Sequence, residues 1–144
     1  MRKLLIGLLL AAACRSRTVE VPQTSQEAGP RPALATFLAA VRSSDLQAMS
    51  GVWGDKNGPV RDGRKMSRED MERRELIMMC YFRHDKYRIL GESPAPDNER
   101  VLQVELTKGT LRRTTNFYVT QGGERWYVRY ADMEPVKDLC ADKK

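Results

Sequence analysis

The chain has 144 residues, 41% of them apolar and 31% charged, a balance that excludes both a disordered chain and a multi-span membrane protein. Its formal net charge of +6 is mild, favours anionic surfaces weakly and says little about fold. With one histidine and three cysteines, a zinc centre built from several such ligands is not expected, and no cofactor is implied.

Arg2 and Lys3 open the chain and are followed by an unbroken apolar run over 4–13. As a helix that run reaches about 15 Å, half of a bilayer core of about 30 Å, so it is too short to span one. A basic start, a short apolar centre and small residues at its end form the pattern of an export signal. Leu10-Ala11-Ala12-Ala13-Cys14 resembles the lipobox of bacterial lipoproteins, with Ala11 standing where Leu is preferred. The resemblance implies cleavage between Ala13 and Cys14, a diacylglyceryl thioether on the Cys14 sulfur, and often acylation of the new amine. Two or three acyl chains, at about 0.8 kcal/mol per buried methylene, make a durable bilayer anchor. Arg15, not Asp, follows the cysteine, which in Gram-negative members of the family implies passage to the outer membrane. The implied address is the cell envelope, lipid-anchored and facing the periplasm, which removes nucleic acid from the expected partners. An ordinary secretory signal followed by a chance cysteine is the plainer alternative.

The chain thus divides into a signal peptide over 1–13, a lipidated cysteine with a flexible tether over 14–31, and one domain over 32–144. The tether is polar, carries Pro, Gly and Ser, and has no apolar period. Loss of Arg2 and Lys3 with the signal lowers the formal charge to +4.

From Pro32 the period becomes helical, with Leu34, Phe37, Leu38 and Val41 on one stripe. Ser44-Asp45-Leu46-Gln47 fits a capping box and predicts a second short helix with Leu46, Met49 and Trp53 inward, ended by Gly54. Residues 54–66, with three glycines and a proline, predict a loop. Ser67 with Asp70 opens a third helix running to Cys80 or Phe82. Arg68–Glu72, Glu69–Arg73 and Asp70–Arg74 are spaced there as ion pairs. Its second half, 76–82, is continuously apolar, and periodicity does not separate buried helix from strand there. Alternation then predicts strands around Tyr87 and Ile89, around Leu102, Val104 and Leu106, around Thr115, Phe117 and Val119, and around Trp126, Val128 and Tyr130. Lys108-Gly109 and Gly122-Gly123 supply the turns. Helices followed in order by antiparallel strands predict an α+β fold, with the N-terminal helices packed on one face of a meander.

This element order, closed by the strand RWYVRYADM, resembles the nuclear-transport-factor-2-like, cystatin-like cone fold over 32–135. The resemblance implies a curved sheet wrapped on a helix around a cone-shaped cavity. Some members of that family are enzymes, such as ketosteroid isomerase and polyketide-cyclase-like proteins; others bind ligands or mediate contacts, and the fold alone does not choose between them.

Cys80 and Cys140 remain once Cys14 is used, and an oxidising compartment favours a bridge between them; the bland reading is a buried thiol and a tail thiol. His84 is followed by Asp85, but adjacent strand residues point to opposite faces, so a solvated surface histidine is expected. Asp45 at a helix cap and Asp132 past the last strand do not read as a base in an apolar pocket, although Tyr87, Tyr118, Tyr127 and Tyr130 offer donors. The basic run Arg61, Arg64, Lys65, Arg68, Arg73 and Arg74 is interleaved with acids and mostly self-paired, which leaves Arg61, Arg64 and Lys65 as an anion-binding candidate. The expected role is a non-catalytic binding domain for an envelope protein or a small apolar ligand, through the sheet cavity or the 54–66 loop. The alternative is a cavity enzyme of the isomerase or cyclase type.

Overall fold

The computed structural model describes residues 28–141. The signal peptide, Ala13, Cys14 and most of the tether lie outside the described residues. Helix α1 spans Pro30–Ser43 and begins two residues before the expected Pro32. Two prolines in its first turn explain the early start, because the first helical N–H groups have no intrahelical acceptor to lose. Arg31 therefore belongs to the domain and not to the tether.

Ser44 does not open the second helix. It closes α1 in a left-handed conformation, φ 55°, with its N–H turned back to the Ala40 and Val41 carbonyls. Asp45 has the extended backbone that an N-cap needs, and its carboxylate accepts the Ala48 N–H at 3.0 Å. Helix α2, Leu46–Val52, follows.

The expected loop over 54–66 contains structure. Strands β1, Gly54–Asp55, and β2, Gly58–Pro59, form a small antiparallel hairpin, and a 3-10 turn covers Val60–Asp62. A Cβ on Gly54 would lie 2.4 Å from the Gly58 carbonyl oxygen, so the hairpin closes only around a glycine.

Helix α3, Arg68–Tyr81, is capped by Ser67, whose Oγ accepts the Asp70 N–H at 3.1 Å. Arg68–Glu72 and Arg73–Glu69 pair as their spacing predicts, at 2.8 and 3.0 Å. Asp70 meets Arg73 at 3.8 Å instead of Arg74. The ambiguous 76–82 stretch is helical to Tyr81 and only partly buried. Met79 and Phe82 enter the core, whereas Leu76 and Ile77 are 58% and 46% exposed.

Strands β3 (Lys86–Pro94), β4 (Arg100–Lys108), β5 (Leu111–Gly122) and β6 (Arg125–Ala131) form an antiparallel meander in that spatial order. Among the described residues the architecture is α+β, with four helices, this sheet and the small hairpin. Leu102, Val104 and Leu106 on β4 and Thr115, Phe117 and Val119 on β5 are buried, as their alternation predicts. On β6 the alternation breaks. Val119 pairs with Val128 but Tyr118 with Tyr130, so Arg129 is a bulged extra residue. One extra residue reverses the faces beyond it. Ala131 turns inward, and Tyr130 stands 52% exposed beside Tyr118 on the outer face. Tyr127 is buried and Trp126 half-buried, against the expected inward set of Trp126, Val128 and Tyr130.

Three phenylalanines meet in the interior between α1 and the sheet. Phe37, Phe82 and Phe117 come from a helix, a helix end and a strand, with ring centroids 5.0 to 6.1 Å apart and at most 1% exposure. Glu92 on β3 accepts from Arg31 of α1 at 2.8 Å and from Arg100 of β4 at 3.1 Å, clipping the helix start to the sheet. Beyond β6 the chain folds into a 3-10 turn, Glu134–Val136, and helix α4, Lys137–Cys140. Val136 and Leu139 enter the core from this tail. The Cys80–Cys140 disulfide joins α4 to α3, with Cα atoms 4.7 Å apart. Lys108 and Arg113 hold the same tail by donating to the Leu139 carbonyl and the Asp138 carboxylate.

Candidate functional site

The residues of 54–66 border two open depressions. One, of about 410 Å³, lies between α2, the 60–62 turn and α3, with Ser50, Val60, Arg61, Met66, Arg68 and Met71 in its wall. The other, of about 240 Å³, lies on the hairpin side, where Lys65 shares the wall with Asp55 and Asp62. The three predicted anion-binding residues are therefore divided. Arg61 faces the larger depression, Lys65 the smaller one with its acids, and Arg64 lines neither. The 3-10 turn explains the division: it sends Arg61 back across α2, and the chain leaves through Gly63 before Lys65.

Arg61 has a seat. Its guanidinium lies over Gly51 of α2, where an added Cβ would come within 3.0 Å of Nη1. Its carboxylate contact is Asp62 at 3.8 Å, a weak ion pair on an exposed turn. Arg68, on the opposite wall, is held by Glu72 at 2.8 Å.

Two buried titratable groups have no counterpart in the sequence expectations. Glu75 is 1% exposed, on the α3 face that also carries Met71 and Met79, and among the described residues its Oε1 has no hydrogen-bond partner. Burial, and then the charge of Glu72, push its pKa up to about 7. A lone acid at the register of Met71, Met79 and Phe82 was the available signal, masked by the ion pairs that surround it in sequence. His84 is 6% exposed and not the solvated histidine expected. The strand does not begin until Lys86, so the residue turns inward at the junction, where Nδ1–H donates to the Phe82 carbonyl at 2.8 Å. Its Nε2 is buried without a partner among the described residues. Burial lowers its pKa, the Phe82 carbonyl opposes that shift, and Arg42 adds to it.

His84 and Asp85 do not form an acid–base pair. Asp85 accepts the Gly109 N–H at 2.6 Å and secures the β4–β5 turn. Asp45 caps α2, and Asp132 accepts from the Asn116 amide at 3.3 Å. Among the tyrosines, Tyr87 packs edge-on against His84, and Tyr118 lies on the outer sheet face, where burial and then Asp132 raise its pKa. Among the described residues Glu75 and His84 are buried groups with the chemistry of a base, and at 1% and 6% exposure both are closed to solvent.

Among the described residues no three of His, Cys, Asp and Glu gather into a metal-holding group, and no helix is long and apolar enough to cross a membrane. No family model, curated protein or solved structure matches the chain.

Proposed function

We propose that the chain is a lipid-anchored envelope lipoprotein whose domain binds and does not catalyse. In this reading Cys14 carries the acyl chains, the domain faces the periplasm from the outer membrane, and the fold is a filled variant of the nuclear-transport-factor-2-like cone. An envelope component, a protein or a small ligand with apolar surface, is held against the 54–66 segment. The observation that supports this best is the contrast between interior and rim. The interior that a cone enzyme would keep open is occupied by Phe37, Phe82 and Phe117, while the hairpin and turn of 54–66 border open depressions. A cavity enzyme would need α3 to move before Glu75 met a substrate.

The anchor is tested by metabolic labelling with an alkyne fatty acid. Label on the wild type and none on Cys14→Ala is expected; equal label, or none on either, overturns the anchor. The interaction surface is tested by envelope cross-linking of wild type against a chain with 55–58 replaced by a two-residue turn. A partner retained unchanged removes the 54–66 segment from the account.

A further inference from the structure

The depression between α2, the 60–62 turn and α3 joins two chemistries. Arg61 and Arg68 are its charged wall residues; Glu72, outside the wall, already holds Arg68 at 2.8 Å, so Arg61 is the cation without a close carboxylate. Val60, Met66 and Met71 give it the smaller, apolar part of its wall, and the buried Ser50 hydroxyl donates to the Gln47 carbonyl at 3.0 Å. Its volume, about 410 Å³, falls within the range of small-ligand sites, about 300–1,000 Å³.

Arg61 is built into this wall. Gly51 lies in the last turn of α2, and the space left by its missing side chain holds the guanidinium. The guanidinium is 3.0 Å from where a Cβ would stand, and the flexible end of the arginine, not the backbone, would have to yield. A distant 3.8 Å contact with Asp62 leaves much of this fixed charge uncompensated. A planar guanidinium matches the oxygens of a phosphate or carboxylate. Methionine adapts its shape to an alkyl chain.

We propose that this depression binds a single-chain anionic amphiphile, with Arg61 and Arg68 on a phosphate or carboxylate head and Met66 and Met71 along the tail. This rests on the reading of 54–66 as the interaction surface and names its ligand class. Two sources share the chemistry, a phosphate-monoester lipid in a bilayer and a soluble amphiphile.

The test is calorimetric titration of the full chain carrying Cys14→Ala, so that no acyl chain of its own competes. The probes are hexyl phosphate, inorganic phosphate, hexanol, and phosphatidylcholine vesicles with and without lysophosphatidic acid. Hexyl phosphate is expected to saturate one site, with inorganic phosphate and hexanol each about tenfold weaker or more. Arg61→Gln should weaken hexyl phosphate about tenfold or more. Gly51→Ala keeps every charge but displaces the guanidinium, and should weaken binding about threefold or more. Circular dichroism confirms that both variants remain folded.

Vesicle binding with the same dependence on Arg61 and Gly51 assigns the bilayer source, and hexyl phosphate binding without it assigns the soluble one. The proposal is overturned by non-saturating binding, by inorganic phosphate binding as tightly as hexyl phosphate, or by Gly51→Ala binding like the wild type. If the titration fails while shortening 55–58 still abolishes cross-linking, the interaction surface survives without this ligand class. If both fail, the surface falls too.

Discussion

The β4–β5 hairpin and helix α3 are both written with strong apolar stretches, and they use them differently. On β4 and β5 the apolar residues alternate, and Leu102, Val104, Leu106, Phe117 and Val119 are all fully buried. In α3 the apolar run spreads around the whole helix. Met79 and Phe82 enter the core, a carboxylate takes an inward position at Glu75, and Leu76 and Ile77 are left in solvent. A sheet has only two faces, so alternation assigns the apolar side chains of β4 and β5 to the core until a bulge shifts the register, as on β6. A helix has no such binary rule, and α3 is placed by Ser67 at one end and the disulfide at the other. The sheet contributes its alternating apolar residues to the core, and α3 contributes a buried carboxyl.

The largest effect that tests this contrast is Phe117→Ala. It opens the centre of the three-ring cluster and should cost about 3–5 kcal/mol in urea unfolding. A loss under about 1 kcal/mol would remove the ring cluster as the centre of the core. Next comes Cys80→Ser, which frees α4 from α3. The closed loop spans a sequence separation of 60 residues, for which chain entropy predicts about 4 kcal/mol and practice about 2–4. Thermal melts should show the same loss in wild type treated with reductant, and intact mass under non-reducing conditions should be two hydrogens lighter.

Glu75→Gln should act in the opposite direction. The folded protein holds the Glu75 proton to about pH 7, whereas the unfolded chain releases it near the ordinary 4.5. Between those values the folded state binds more protons, so stability from this group is full below pH 4.5 and falls as pH rises through 7. Glutamine removes that fall and should gain on the order of 3 kcal/mol at pH 8, with little change at pH 4. Parallel unfolding curves for wild type and variant at the two pH values would contradict the buried, unpaired carboxyl.

The smallest effect belongs to the Glu92 clip. Hydrogen bonding to Arg31, more than that to Arg100, holds its carboxyl below the usual range against the opposing effect of burial. Its contribution is present above the ordinary carboxylate pKa and is lost as pH falls through the lowered one. Arg31 is half exposed, so Glu92→Gln should cost about 1 kcal/mol at neutral pH and less in high salt.

The strands and the third helix were legible because their signals are local: side-chain alternation, a Ser-x-x-Asp cap, glycine turns. What was not legible depended on distant partners. Nothing near Arg129 in sequence announces a bulge, because the bulge is a mismatch of register with β5. The short hairpin at 54–59 needs the contact between Gly54 and Gly58 and the bridge from Trp53 to Val128. Ser44 and Asp45 are both competent caps, and the left-handed turn that ends α1 decides between them. His84 was assigned to a strand that begins only at Lys86, and the displacement by two residues carries it from surface to core. The division of Arg61 from Lys65 was equally invisible, since spacing along a loop does not say which way a turn sends each side chain.

The two borders of the sheet are finished in different ways. The β6 border is met by the chain leaving α2, through the Trp53–Val128 bridge. The β3 border is unpaired in the meander, and it is interrupted by the extra residue Leu90 and closed by Pro94. A broken border offers no continuous row of amides and carbonyls for another chain to zip onto. Under the lipid anchor proposed above, neighbours would arrive already aligned and crowded, and strand-to-strand zippering would be the hazard of that geometry. The bulge at Leu90 and the proline after it would then let many copies share one surface while each stayed a separate folded unit.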